Sequence, residues 1–193
     1  MRRSPRPPVS DDETAAELVE EAGRLSYLLD GLLADPLWAD AASCLVAGPG
    51  TPAVVGALDD AGRDGLVLSG LDGGAVRRAV EDALEDPARA PVTTGPADVA
   101  VLALALEHRT DAECTRLLEE IAGRTTRAVV IEQARPDDLG GGADELRVLA
   151  QARSGAALRD GQAIAALGAA SGWSSEREIE LGWGMVATVL SRD

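Results

Sequence analysis

The 193-residue chain has no phenylalanine, no lysine and no asparagine, and its one histidine is His108. All 18 basic residues are arginine against 33 acidic ones, for a net charge of −15. No basic stripe exists to displace counterions, which excludes nucleic-acid backbones and anionic membranes as main partners. The charge itself reads as solubility or as the complement of a basic protein partner. The missing residue types, beside abundant alanine, glycine and arginine, look like the coding bias of a GC-rich bacterium and carry no functional meaning. Only Cys44 and Cys114 are cysteines, in no metal-ligand spacing, and they read as buried free thiols in a reducing compartment. No apolar run approaches 18 residues, so no membrane span is expected. The N-terminus MRRSPRPPVS lacks the apolar block of a signal peptide. It reads as a disordered arm over 1–10 of a cytoplasmic protein.

What is present centres on residues 43–58, SCLVAGPGTPAVVGAL: an apolar run, a glycine-rich turn, then an apolar helix former. Strand, glycine turn and helix in that order is how α/β proteins present backbone N–H groups to a nucleotide-like ligand. Upstream, Ser10 before Asp11, Asp12 and Glu13 marks a capped helix start. Leu18, Val19, Ala22, Leu25, Leu29, Leu32 and Leu33 then recur at helical spacing opposite Glu17, Glu20 and Arg24. A leading amphipathic helix over 11–36 is therefore expected. It has one face to bury, either against the domain or against another chain, and residues 14–34 are the expected docking segment for a protein partner.

Downstream, strands are expected near 43–47, 65–69, 90–94, 98–106 and 127–133, with helices at 52–62, 75–84, 110–123, 143–153 and 159–171. The run DVAVLALAL at 98–106 has the continuous apolar character of a central parallel strand buried on both faces. Residues 174–181 and 185–191 flank the tight turn Gly182-Trp183-Gly184 and must pair antiparallel. The expected fold class is α/β: a doubly wound, mostly parallel seven-stranded sheet with an antiparallel C-terminal edge hairpin, filling one domain over 37–193.

Three stretches in this order resemble one family. Residues 97–121, ADVAVLALALEHRTDAECTRLLEEI, look like an apolar strand leading to His-Asp-Trp, acids, Cys and a Leu-rich helix. Residues 128–136, AVVIEQARP, are similar to a strand ending in Glu before a proline-containing loop, and 144–173 look like a helix pair ending in Ala-Gly-Phe. Together they resemble the small-molecule O-methyltransferases that use S-adenosylmethionine and act on plant phenols, hydroxyindoles and bacterial polyketides. The resemblance covers about 37–191. It implies a class I methyltransferase-like fold and, in family members, a preceding helical domain that binds substrate and dimerises. Only some 40 residues precede the glycine turn here, so that domain and its aromatic-rich lid are expected to be missing from this chain.

The resemblance also assigns site residues, and several depart from the pattern. Gly48 and Gly50 match the first two glycines of the donor motif, Pro52 replaces the third and Val46 replaces its acid. Ser69 stands where an acid would hold the ribose hydroxyls, with Asp72 three residues on as a substitute if the turn bends back. Thr93-Thr94-Gly95 replaces the acidic motif that contacts adenine. Each charge-assisted bond lost costs about 1.5–3 kcal/mol. Losing two weakens micromolar binding by about two to four decades. For the base that deprotonates the acceptor hydroxyl, a register anchored on Asp111 and Cys114 puts Glu107 at the histidine's position and Arg109 at the tryptophan's. A one-residue deletion restores His108 as the base. Glu132 matches a carboxylate that orients the base, whereas a second falls on Leu158 with Arg159 beside it.

Glu107, His108 and Glu132 are thus the candidate catalytic residues, Gly48, Gly50, Ser69 and Asp72 the candidate cofactor-binding residues, and no metal site is expected. Three functions remain open: a non-methylating binding subunit of another biosynthetic protein, an O-methyltransferase of a small natural product completed in trans, and a repurposed enzyme of cyclisation or rearrangement. No cofactor is expected in the first, and S-adenosylmethionine if transfer is retained. A small hydrophobic natural product is the expected ligand class.

Overall fold

The computed structural model describes residues 19–20, 22–63, 66–70, 74–84, 95–134 and 156–193. Within these, alternating units give β1 (Ser43–Ala47), β2 (Val67–Gly70), β3 (Val99–Ala103), β4 (Arg127–Gln133), β5 (Ser174–Gly182) and β6 (Met185–Ser191). The strand order is β2-β1-β3-β4-β6-β5. The β1–β2, β1–β3 and β3–β4 pairs are parallel, and β6 runs antiparallel to both β4 and β5. This is a class I methyltransferase-like sheet with the expected C-terminal hairpin. Six strands are described where seven were expected. The expected strand at 90–94 lies outside the described residues, as do the arm 1–10, the helix 143–153, Asp72, Thr93 and Thr94.

Each helix starts for a local reason. α2 (Thr51–Asp60) carries Pro52 in its first turn, where a missing N–H removes no helical bond. α4 (Asp111–Ala122) opens on a complete capping box: Thr110 takes the Glu113 N–H while the Glu113 carboxylate takes the Thr110 N–H. α5 (Gly161–Ala170) is capped by Asp160, whose carboxylate accepts from the Ala163 N–H at 2.8 Å. Asp98 ties the start of β3 to β1 by accepting from the N–H groups of Ala42 and Ser43 and from the Ser43 hydroxyl. Those bonds, the hydroxyl's first, hold its carboxyl below the usual range.

The sheet is covered on both sides. On one, Val54, Val55 and Leu58 of α2 join Leu25, Leu29, Leu32 and Trp38 over Val46, Val101, Val129 and Ile131. On the other, Cys114, Leu118 and Ile121 of α4, Ile164 of α5 and Trp173 pack on Leu45, Leu102, Val130 and Leu190. Strand β3 is buried along its whole length, as its unbroken apolar run predicts. Both thiols are buried and unbridged, and burial pushes Cys44 to about 12 and Cys114 to about 11.

The leading segment departs from expectation. Of the helix expected over 11–36, residues 19, 20 and 22 are helical, but from Gly23 on the chain forms a 3-10 segment (Gly23–Leu28), one short turn α1 (Asp30–Leu33) and a second 3-10 turn (Pro36–Trp38). Gly23 and Gly31 lower helix propensity there, and packing overrides the pattern: Ala22, Leu25, Leu29 and Leu32 are all buried in the domain's own core. Of the two destinations open to the apolar stripe, its described part takes the intramolecular one. The remaining helix, α3 (Gly74–Ala83), follows β2.

Candidate functional site

The order of strands reverses between β1 and β3, and the crevice at their carboxyl ends is where such sheets receive ligands. The glycine turn sits there. Gly48 has φ +100°, a left-handed conformation that disfavours any Cβ. A Cβ on Gly48 would also fall 2.3 Å from the Ala103 carbonyl oxygen. At Gly50 a Cβ would meet the Ala103 side chain at 2.8 Å and a Leu25 methyl at 2.9 Å. The close approach that these glycines permit is made by β3 and by the leading segment.

Backbone donors in the turn follow the same logic. The Gly50 N–H donates to the Ala103 carbonyl at 3.0 Å and the Thr51 N–H to the Gly48 carbonyl at 3.0 Å. Pro52 has none. Thr51 is buried, and its hydroxyl has no hydrogen-bond partner. Val46 is buried within β1, and Ser69 within β2 at 3% exposure, so neither supplies a charged group.

A second cluster lies at the carboxyl ends of β3 and β4. The chain leaves β3 through Leu104, a non-glycine residue at φ +56° whose N–H donates to the Ile131 carbonyl at 2.8 Å. Glu107 and Glu132 follow, buried to 2% and 3% exposure. The Leu106 N–H donates to Glu132 at 2.6 Å. Burial pushes the Glu132 carboxyl up to about 8, opposed by that N–H and raised further by the nearby Glu107 charge. The structure therefore brings Glu107 and Glu132 together, as expected for the ends of adjacent strands. It leaves His108 apart, exposed in the turn that follows.

Arg159 braces this turn. Its guanidinium donates to the carbonyls of Leu106 at 2.8 Å, Arg109 at 2.9 Å and Ala157 at 3.0 Å, and to the Asp111 carboxylate at 2.7 Å. At 5% exposure it is a structural clamp. Its neighbour Leu158 is half-buried and, with Ala163, Ala166 and Leu167, lines an open cleft of about 350 Å³ beside α5. The motif register placed Arg159 beside a lost carboxylate; its partners, some 50 residues away in sequence, gave no local signal.

Chemically, Glu132 is a carboxyl that keeps its proton near neutral pH. That is a poised acid–base group, which accepts from the Leu106 N–H. Among the described residues no group of three or more His, Cys, Asp or Glu is placed to hold a metal, and no described helix is long and apolar enough to cross a membrane.

No family model and no curated protein matches the sequence. Solved structures match its fold. The mitomycin 7-O-methyltransferase MmcR superposes with TM-score 0.70 at 23% identity, over 94% of this chain and 56% of that one. NcsB1, an O-methyltransferase from neocarzinostatin biosynthesis in complex with S-adenosyl-L-homocysteine and 1,4-dihydroxy-2-naphthoic acid, gives 0.76 at 20%, over 95% and 59%. An O-methyltransferase family protein from Burkholderia thailandensis gives 0.74 at 16%, over 95% and 60%. The chain thus spans under two thirds of the length of each of these neighbours and shares the fold of small-molecule O-methyltransferases.

Proposed function

We propose that this chain keeps the O-methyltransferase scaffold of bacterial secondary metabolism without the transfer reaction, and serves as a non-catalytic binding subunit of another biosynthetic protein. The observation that carries this reading is the state of the glycine turn. Its Gly50 N–H is bonded to Ala103, its Thr51 N–H to Gly48, Pro52 has no N–H, and Leu25 lies over Gly50. Holding a sulfonium nucleoside at this crevice needs N–H donors and a carboxylate for the ribose. The residues described there are buried apolar groups, Ser69 and the unpartnered Thr51 hydroxyl, with no carboxylate among them, so they fit that ligand poorly. A small hydrophobic product is the ligand class that the remaining surfaces suit better.

Calorimetric titration with S-adenosylmethionine and S-adenosylhomocysteine tests the proposal. The expected result is binding no tighter than about 0.1 mM, from the loss of two charge-assisted contacts at about 1.5–3 kcal/mol each. Micromolar binding would overturn it.

A second reading is favoured by the neighbours themselves, two of which are NcsB1 complexes with S-adenosylhomocysteine or S-adenosylmethionine. On this reading the chain is an O-methyltransferase of a small natural product, using S-adenosylmethionine, with its site completed in trans by another chain. The buried Glu107–Glu132 pair supports a third, an enzyme of cyclisation or rearrangement. In that case Glu132→Gln in the producing strain removes one product.

A further inference from the structure

The chain has four aromatic residues, and they divide cleanly. Trp38 and Trp173 are core residues whose indole N–H groups bond the carbonyls of Leu32 and Leu118. Tyr27 and Trp183 are 79% and 68% exposed. Such exposure is unusual for large rings in a chain so poor in them.

The two exposed rings belong to one corner of the molecule. Trp183 is at the tip of the β5–β6 hairpin, held at φ +50° between Gly182 and Gly184, both also in left-handed conformations. Gln133, at the end of β4, donates to the carbonyls of Trp183 and Gly184 and accepts from Arg24 at 3.0 Å. Arg24 and Tyr27 are three residues apart on the 3-10 segment, which puts them on one face. Leu28 of the same segment reaches the hairpin at Gly182. Bonds through Arg24 and Gln133 therefore tie the segment that carries Tyr27 to the hairpin tip that carries Trp183. Trp183 and Gly184 are the two central residues of the hairpin loop, and positive φ at both is what a tight turn of this hand requires.

The charge around this corner names its partner. Glu20 and Asp30 flank Tyr27 on the leading segment and Glu180 precedes Trp183, all exposed. Arg177 of β5 is paired with Asp35 and Glu176, whereas Arg24 bonds the neutral Gln133 amide and keeps its charge, one cation against the three carboxylates. Aromatic faces beside carboxylates recognise arginine or lysine, through cation–π contact and ion pairing together. A second copy would set a charge of −15 against −15. We propose that the Tyr27–Trp183 corner docks an arginine- or lysine-bearing apolar segment of a partner protein. This rests on the binding-subunit reading and moves its contact from the buried stripe of the leading segment to that segment's outward face.

The test uses the full chain and two probes, an amphipathic Leu/Arg peptide and its Leu/Glu counterpart. With Trp38 and Trp173 buried, a change in exposed-indole emission reports on Trp183. The Leu/Arg peptide is expected to shift that emission in the parent and, by calorimetric titration of both proteins, to bind about tenfold more weakly to Tyr27→Ser/Trp183→Asn. Asparagine tolerates the left-handed backbone, so that variant keeps the hairpin. Equal affinity for the double variant, equal binding of the Leu/Glu peptide, or self-association that the double variant abolishes would each overturn the corner as a cationic dock. Micromolar S-adenosylmethionine binding would instead overturn the reading beneath it, by a measurement that involves neither Tyr27 nor Trp183.

Discussion

The carboxyl end of β1 and the carboxyl end of β4 have been treated in opposite ways. At β1 the glycine turn is packed into the protein: Gly48 fits against Ala103, Gly50 lies beneath Leu25, and the Gly50 and Thr51 N–H groups bond to backbone carbonyls. At β4 the polar chemistry survives but is closed in, with Glu132 raised to about 8 and Glu107 buried beside it. The difference teaches which parts of such a fold are structural. The sheet needs apolar strands and tight turns, and both persist. Val46 and Ser69 are buried in β1 and β2 and add no charge at this end of the sheet. Gly48 and Gly50 stand where a Cβ would collide with Ala103 of the neighbouring strand.

The sharpest way to break this comparison is Gly48→Ala. If Gly48 were only a relic of a ligand site, the change would be nearly silent. The structure predicts the reverse, because the new Cβ would fall 2.3 Å from a backbone oxygen at φ +100°, and backbone cannot yield as a flexible side chain does. The expected loss is about 3 kcal/mol or more. Thermal unfolding should register a fall in Tm of roughly 6–12 °C for a chain of this size. A shift within about 1 °C would show that the turn is not packed as described.

Glu132→Gln sharpens the other half. Glu132 has a folded-state value of about 8 against an ordinary 4.5. Between those values the unfolded chain has released a proton that the folded chain retains. Stability contributed by the neutral carboxyl is therefore full below about pH 4.5 and declines as pH rises to about 8. Glutamine keeps a carbonyl for the Leu106 N–H and has no proton to release. The variant should therefore lose this pH dependence and exceed the parent by on the order of 1–3 kcal/mol at pH 8. Denaturant melts at pH 5 and pH 8 check the sign, and parallel slopes for the two proteins would refute the account.

These two ends were not equally legible in the sequence. The strand 127–133 and the second hairpin strand 185–191 could be read to the residue because apolar runs end at glycine, proline or charge. Glu132 was visible for the same reason: it closes a strand that begins at a clear boundary. The pairing of Glu107 with Glu132 followed from strand adjacency. Closure of the glycine turn did not, since the Gly50–Ala103 bond joins residues more than 50 apart and depends on β3 lying beside β1. Periodicity showed that Leu25, Leu29 and Leu32 must be buried, without saying against what. It also gave no warning that Gly23 and Gly31 would break the helix into turns. Trp183 between two glycines was plain in the sequence, but its kinship with Tyr27 emerges only through Gln133.

The smallest effect comes from the polar group left over on the closed side. Thr188 of β6 is fully buried opposite Val130 of β4, and its hydroxyl has no hydrogen-bond partner. A buried hydroxyl without a partner carries a desolvation penalty that a methyl of the same shape does not. Valine is close in volume and favoured in strands. Thr188→Val should therefore stabilise the chain by about 1 kcal/mol, raising Tm by roughly 2–4 °C. A destabilised variant would mean that the hydroxyl does have a partner in solution. An ordered water or a ligand reaching the β4–β6 side would be the source, and the β4 end would then be less closed than its burial indicates.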